Sequence, residues 1–163
     1  MIKILNKKFK PRIKARIRKN KQILGKNIDS FFSWVKGAKL VELKECNTEE
    51  DPVRPELDNK FRTGYGRKIY GVEYKGEIYA VMCFAYTNQI PKSVDELEKL
   101  STDAFLQSAM RDQSGGQIAI AYTVWSKKKG GGKLIVKEVF KKIKKSNHLN
   151  RLVTLSPLTD MAT

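Results

Sequence analysis

An apolar run, Ile118 to Trp125 (IAIAYTVW), stops at three lysines and three glycines, Lys127 to Gly132, and gives way to apolar residues at helical spacing. The run is β-branched and aromatic, which suits a pleated, buried strand. After the glycines, Leu134, Ile135, Val139, Phe140 and Ile143 share one side of a helix of about fourteen residues, with Lys133, Lys137, Lys141, Lys144 and Lys145 over the rest. Arg151 to Pro157 (RLVTLSP) is then a short buried strand ended by proline. Strand, turn, helix and strand in this order form a β-α-β unit, whose two strands run parallel by the crossover rule. The chain is thereby limited to an α/β architecture with a mixed sheet.

Upstream segments supply the rest of that sheet. Ile69 to Tyr74 and Glu77 to Tyr86 alternate as strands around Lys75-Gly76, a two-residue hairpin turn. Ser93 with Glu96 three residues on is a capping-box start, and Val94, Leu97, Leu100, Phe105 and Met110 follow at helical spacing. Ile28, Phe31, Phe32 and Val35 predict another helix, stopped at Gly37, before a strand KLVEL. Between Cys46 and Lys68, proline, glycine and charge dominate, and a long loop is expected. Residues 1–27 are expected to form a basic arm and 28–163 a single domain. Cys83 alternates within an apolar strand and is expected in the core, and Trp125, Tyr70, Tyr74, Tyr79, Tyr86 and Tyr122 are expected in the core or lining a groove.

Charge narrows the partners. The chain carries 33 Lys and Arg against 17 Asp and Glu, a net +16, which favours polyanions. It is clustered: Met1 to Ile28 holds eleven Lys or Arg and no acid, and Lys127 to Arg151 holds ten against the single Glu138. Lys10, Arg12, Lys14, Arg16, Arg18 and Lys19 of the arm are candidates for contact with nucleic acid or an acidic protein. Two distant cysteines and one histidine support neither a disulfide framework nor a zinc site. No apolar stretch approaches the roughly 20 residues that cross a bilayer, so a membrane partner is not expected and a cytoplasmic setting is.

The glycine turn can hold an anion. Amides at a helix start lack internal acceptors and face the positive end of the helix dipole, and glycine lets a pyrophosphate approach the backbone. Lys127, Lys128, Lys129 and Lys133 add charge around Gly130, Gly131 and Gly132. The spacing is neither a Walker loop nor a dinucleotide fingerprint. The plainer alternative for the same residues is a flexible basic hinge.

Lys127-x-x-Gly130-x-Gly132 between a strand and a helix resembles the R/Q-x-x-G-x-G/A coenzyme A loop of the GNAT acyltransferase superfamily. The run AYTVWSKKKGGGKLIVKEVFKKIKKSNHLNRLVTLSPL is similar to the GNAT-type carboxy-terminal domain of malonyl-CoA decarboxylases and to short phage-encoded relatives. Ser126, Gly130, Gly132, Leu134, Ile135, Val139 and Thr154-Leu155-Ser156-Pro157 carry that likeness, and the IYGVEY hairpin with its following helix extends it. The resemblance implies a GNAT-like fold, a central mixed sheet flanked by helices, whose closing carboxy-terminal elements are missing from the expected pattern. It further implies acetyl-CoA or another acyl-CoA as ligand, seated on Val124, Trp125, Ser126, Lys127 to Lys133 and Ser156, and an acyl transfer to an amine. For a phage-encoded chain the setting would be the host cytoplasm.

Departures from the pattern bear on chemistry. The histidine of the decarboxylases has no counterpart, because His148 precedes the last strand and is expected to cap a helix carboxy terminus instead. Decarboxylation by that route is therefore not expected. Glu73 or Glu77 could serve as general base, although hairpin carboxylates are ordinarily just solvated. Ser126 could lie near a thioester carbonyl but has no adjacent base. The competing expectation is a basic nucleic-acid- or host-protein-binding factor on the same fold without catalysis.

Overall fold

The computed structural model describes Ile2–Leu5 as backbone, residues 36–108 and residues 115–155. Six strands form one sheet: β1 (Ile2–Leu5), β2 (Lys39–Leu43), β3 (Lys68–Tyr74), β4 (Glu77–Thr87), β5 (Ile118–Ser126) and β6 (Arg151–Leu155). Their spatial order is β1-β6-β5-β4-β3-β2. All neighbours are antiparallel except β5 and β6, which run parallel as the crossover predicts. The helices are α1 (Asn59–Thr63), α2 (Val94–Gln107) and α3 (Gly131–Lys145).

Local chemistry accounts for these elements. Lys75 and Gly76 both have positive φ, 50° and 80°, as a type I′ hairpin turn requires. The Ser93 hydroxyl accepts from the Glu96 amide and starts α2. α3 crosses between β5 and β6 and buries Leu134, Ile135, Val139, Phe140 and Ile143 against Tyr70, Met82, Phe84 and Ala121. The opposite face of the sheet packs Ile69, Val81, Cys83, Ile120, Tyr122 and Trp125 beneath Leu97 of α2 and Phe61 of α1. Both faces are covered, so β4 is almost continuously buried.

Two expectations need correction. Residues 44–67, expected as a long loop, are a strap packed across the sheet with short helices of its own. A 3-10 turn (Thr48–Glu50) and α1 interrupt them, and Asp51, Arg54, Arg62 and Arg67 are each at most 4% exposed. The charges are inside because they satisfy one another and the strap's own carbonyls. His148 does not cap α3; Ser146 is the cap. A carbonyl can only accept, so His148 Nε2 donates to Gly115 O at 3.1 Å and joins the loops leading into β5 and β6. Ile2–Leu5 of the expected arm form the edge strand β1 beside β6, while the rest of the arm, the helix expected over Ile28 to Val35, Met110 and Ser156 lie outside the described residues.

Candidate coenzyme site at the glycine turn

β5 is where the sheet departs from regularity. Phe84 pairs with Ala121 but Cys83 pairs with Thr123, which leaves Tyr122 as an extra residue in the strand, a β-bulge. Arg54 Nε donates to the carbonyl of that residue at 3.0 Å. The bulge coincides with the end of pairing to β6, whose last partners are Ala121 and Thr154. From Tyr122 to Ser126, β5 is paired with β4 alone among the described strands. Among the described residues, the pairing of β5 with β6 therefore ends where the bulge begins.

The turn itself is tightly built. β4 carries its own extra residue, Tyr79, whose carbonyl accepts from the Lys127 amide at 2.7 Å. Ser126 Oγ donates to Lys128 O at 2.5 Å and accepts from Lys128 N at 3.2 Å, so the hydroxyl braces the loop. Gly131 N closes the turn onto Lys128 O at 2.9 Å.

The three glycines have three different reasons. Gly130, the N-cap, sits at φ 86°, a left-handed conformation that disfavours any Cβ. A Cβ on Gly131 would fall on Ser126 Oγ and press on Ala80. Gly132 has open space where its Cβ would be. No side chain caps α3, and among the described residues nothing accepts from the amides of Gly132 and Lys133. They are the unoccupied donors at the positive end of a fifteen-residue helix.

The predicted ligand lysines separate. Lys127 Nζ pairs with Glu50 of the strap at 2.8 Å, and Lys128 Nζ lies 5.2 Å over the Tyr79 ring and 5.4 Å over the Tyr74 ring. Lys129 and Lys133 are exposed beside the turn. Val124 is exposed on the α3 side, whereas Trp125 is buried among the strap-side residues. Of the residues expected to bind together, Gly130 to Gly132, Lys129 and Lys133 are adjacent at the helix start, while Trp125 and Lys127 belong to the other face. Glu77 is hydrogen-bonded to Tyr79, whose phenol that contact pushes above its ordinary pKa.

On the strap side is a cavity of about 500 Å³ lined by Leu43, Cys46, Glu50, Val81, Trp125 and Lys127, among others. Sequence reasoning missed it because it needs the strap to fold over β4 and β5. The strap is held by Asp51. Its Oδ1 accepts from the amides of Val53 and Arg54, at 2.8 and 3.0 Å, and from Thr123 Oγ1 at 2.8 Å. Arg62 Nη1 lies 2.9 Å from Oδ2, with neither side chain exposed. Burial alone would raise the Asp51 carboxyl, but these donors outweigh it and hold the carboxyl below its ordinary value. The signal present in the sequence was the aspartate at Asp51 followed by proline, an Asx-turn start, with Asp58 as the cap of α1.

A mixed sheet with a parallel crossover pair, flanked by helices, is consistent with a GNAT-like fold. No protein-family model and no curated protein sequence matches the chain. Among solved structures, malonyl-CoA decarboxylase from Cupriavidus metallidurans is similar, with a TM-score of 0.51 and 17% identity over 82% of this chain. The chain corresponds to 35% of the length of that enzyme. At this identity the likeness shows a related fold. Among the described residues no helix is long and apolar enough to cross a membrane, and no His, Cys, Asp and Glu group could hold a metal ion.

Proposed function

We propose that this chain binds a coenzyme A thioester and transfers its acyl group to an amine. The supporting observation is the α3 start: two unaccepted amides, Gly132 and Lys133, at a helix dipole end beside exposed Lys129 and Lys133. That is the chemistry of a pyrophosphate seat. Val124, exposed on the α3 side of β5, lies on the approach to that seat, and a pantetheine arm would run past it. The neighbouring fold belongs to an enzyme named for malonyl-CoA.

Calorimetric titration with coenzyme A, acetyl-CoA, malonyl-CoA and pantetheine tests this. Binding should require the pyrophosphate-bearing ligands, and a Lys129→Glu, Lys133→Glu variant should weaken it at least tenfold. Absence of heat with any coenzyme A species at near-millimolar concentration refutes the proposal. Transfer itself is read as thiol release that depends on a primary amine.

A second function, polyanion binding, is favoured by the net charge of +16 and by Lys142, Lys144 and Lys145 exposed on α3. The arm residues Lys10 to Lys19 would add to it. Retention on DNA or heparin should then fall steeply with salt, and a retention independent of salt would rule it out.

A further inference from the structure

Sequence spacing set Cys46 and Cys83 apart; folding of the strap brings them together. Cys46 packs against the cluster in which Cys83 is fully buried, and α1 reaches both thiols from residues about one turn apart, Asn59 and Arg62. They differ in access. Cys46 is half-buried and lines the 500 Å³ cavity, whereas Cys83 lies behind it in β4.

Their surroundings are specific. The Asn59 side chain grips the Cys46 backbone at both ends, accepting from its amide at 2.9 Å and donating to its carbonyl at 3.0 Å. Its Oδ1 also lies 3.5 Å from Cys46 Sγ. Arg62 Nη1 donates to Cys83 Sγ at 3.4 Å while ion-paired with Asp51. The hydrogen bond from Cys83 is the main cause of a Cys46 pKa lowered to about 7, and the Arg62 charge adds to it against burial. The same partnership, with burial, pushes the Cys83 thiol well up. Cys46 thus meets an oxidant in the cavity first, and Cys83 stands behind it.

We propose that Cys46 and Cys83 are a redox-active pair in which a hydroperoxide entering the cavity oxidises Cys46 and Cys83 resolves the product to a disulfide. In the first step the Cys46 sulfur attacks the peroxide oxygen, the O–O bond breaks, and a sulfenic acid and water (or the alcohol of an organic hydroperoxide) form. In the second, Cys83 sulfur attacks Cys46 sulfur, the S–O bond breaks, and the departing hydroxide takes the Cys83 proton as water. Arg62 stabilises the charge developing on Cys83 during that attack. The two electrons lost by the thiols are those gained by the peroxide. The bond ties the strap to β4 at the cavity wall. The proposal is independent of the coenzyme A assignment.

The test is to expose the full chain to hydrogen peroxide at modest excess and count thiols after unfolding. The two thiols present should both disappear without formation of covalent dimer, and dithiothreitol should restore both. Tryptic mapping should recover a Cys46-to-Cys83 linked peptide. In Cys83→Ser, dimedone should label Cys46 as a trapped sulfenic acid, and in Cys46→Ser the remaining thiol should react at least tenfold more slowly than Cys46 does. Survival of both thiols while free cysteine in the same tube is oxidised would overturn the proposal. So would a linked peptide joining two different chains, or overoxidation of Cys46 with Cys83 untouched.

Discussion

Replacing Arg62 by methionine tests how the strap is held. The guanidinium donates to Leu57 O at 2.8 Å, to Arg54 O at 2.8 Å and to Cys83 Sγ at 3.4 Å, and lies 2.9 Å from Asp51 Oδ2. Methionine keeps apolar volume but leaves the Asp51 carboxylate buried without its counter-charge and takes a donor from Leu57 O and from Arg54 O, the latter keeping the Leu57 amide. Removing one partner of a buried pair costs about 3–5 kcal/mol. For a chain of this size each kcal/mol lowers Tm by about 2–4 °C, so Arg62→Met should melt roughly 6–20 °C lower. Differential scanning calorimetry, with urea unfolding for the free energy, measures this. Asp51→Asn combined with Arg62→Met should cost clearly less than the two single changes added together, because the second removes what the first left unpaired. The exposed pair Lys68 to Glu42 is the internal control, and Glu42→Gln should cost under about 1 kcal/mol. A loss below about 1 kcal/mol for Arg62→Met, or strict additivity in the double variant, would refute the argument that the strap hangs on this charge pair.

The glycine turn and the strap give three further predictions. Gly131→Ala should destabilise the chain, since its Cβ meets Ser126, while Gly132→Ala should stabilise it by up to about 1 kcal/mol and yet weaken coenzyme A binding; equal affinity for Gly132→Ala and wild type would move the ligand off those amides. Iodoacetamide modification of Cys46 in a Cys83→Ala background, which removes the neighbouring donor, should have its pH midpoint shifted upward from wild type, because the neighbouring thiol is the main cause of the lowering; an unchanged midpoint would contradict this. Asp51 has a depressed folded pKa, so its stabilisation is fully present above its unfolded value near 3.8 and is lost as pH falls through the folded value; Asp51→Asn should flatten that acid limb of a stability-pH curve.

What could be read from the sequence was whatever short-range rules decide. Lys75-Gly76 admits a type I′ turn, Ser93 with Glu96 marks a helix start, and Ile118 to Trp125 followed by glycine and an amphipathic segment dictates a parallel crossover. The strap was illegible for the opposite reason. Asp51, Arg54 and Arg62 look like solvent-facing charges unless their partners Thr123, Tyr122 O and Cys83 are known, and those lie far along the chain. The same long-range folding sends Lys127 to Glu50 rather than to the turn, and brings two distant cysteines against one short helix. The bulge at Tyr122 left no mark in the alternation of β5, because both of its residues are buried.

The glycine turn has a consequence for sequence change. Its exposed donors are backbone amides, and its shape follows from the left-handed Gly130 and the close approach of Gly131 to Ser126. A turn made of main chain tolerates replacement of most letters around it, provided that glycine stays at those two positions.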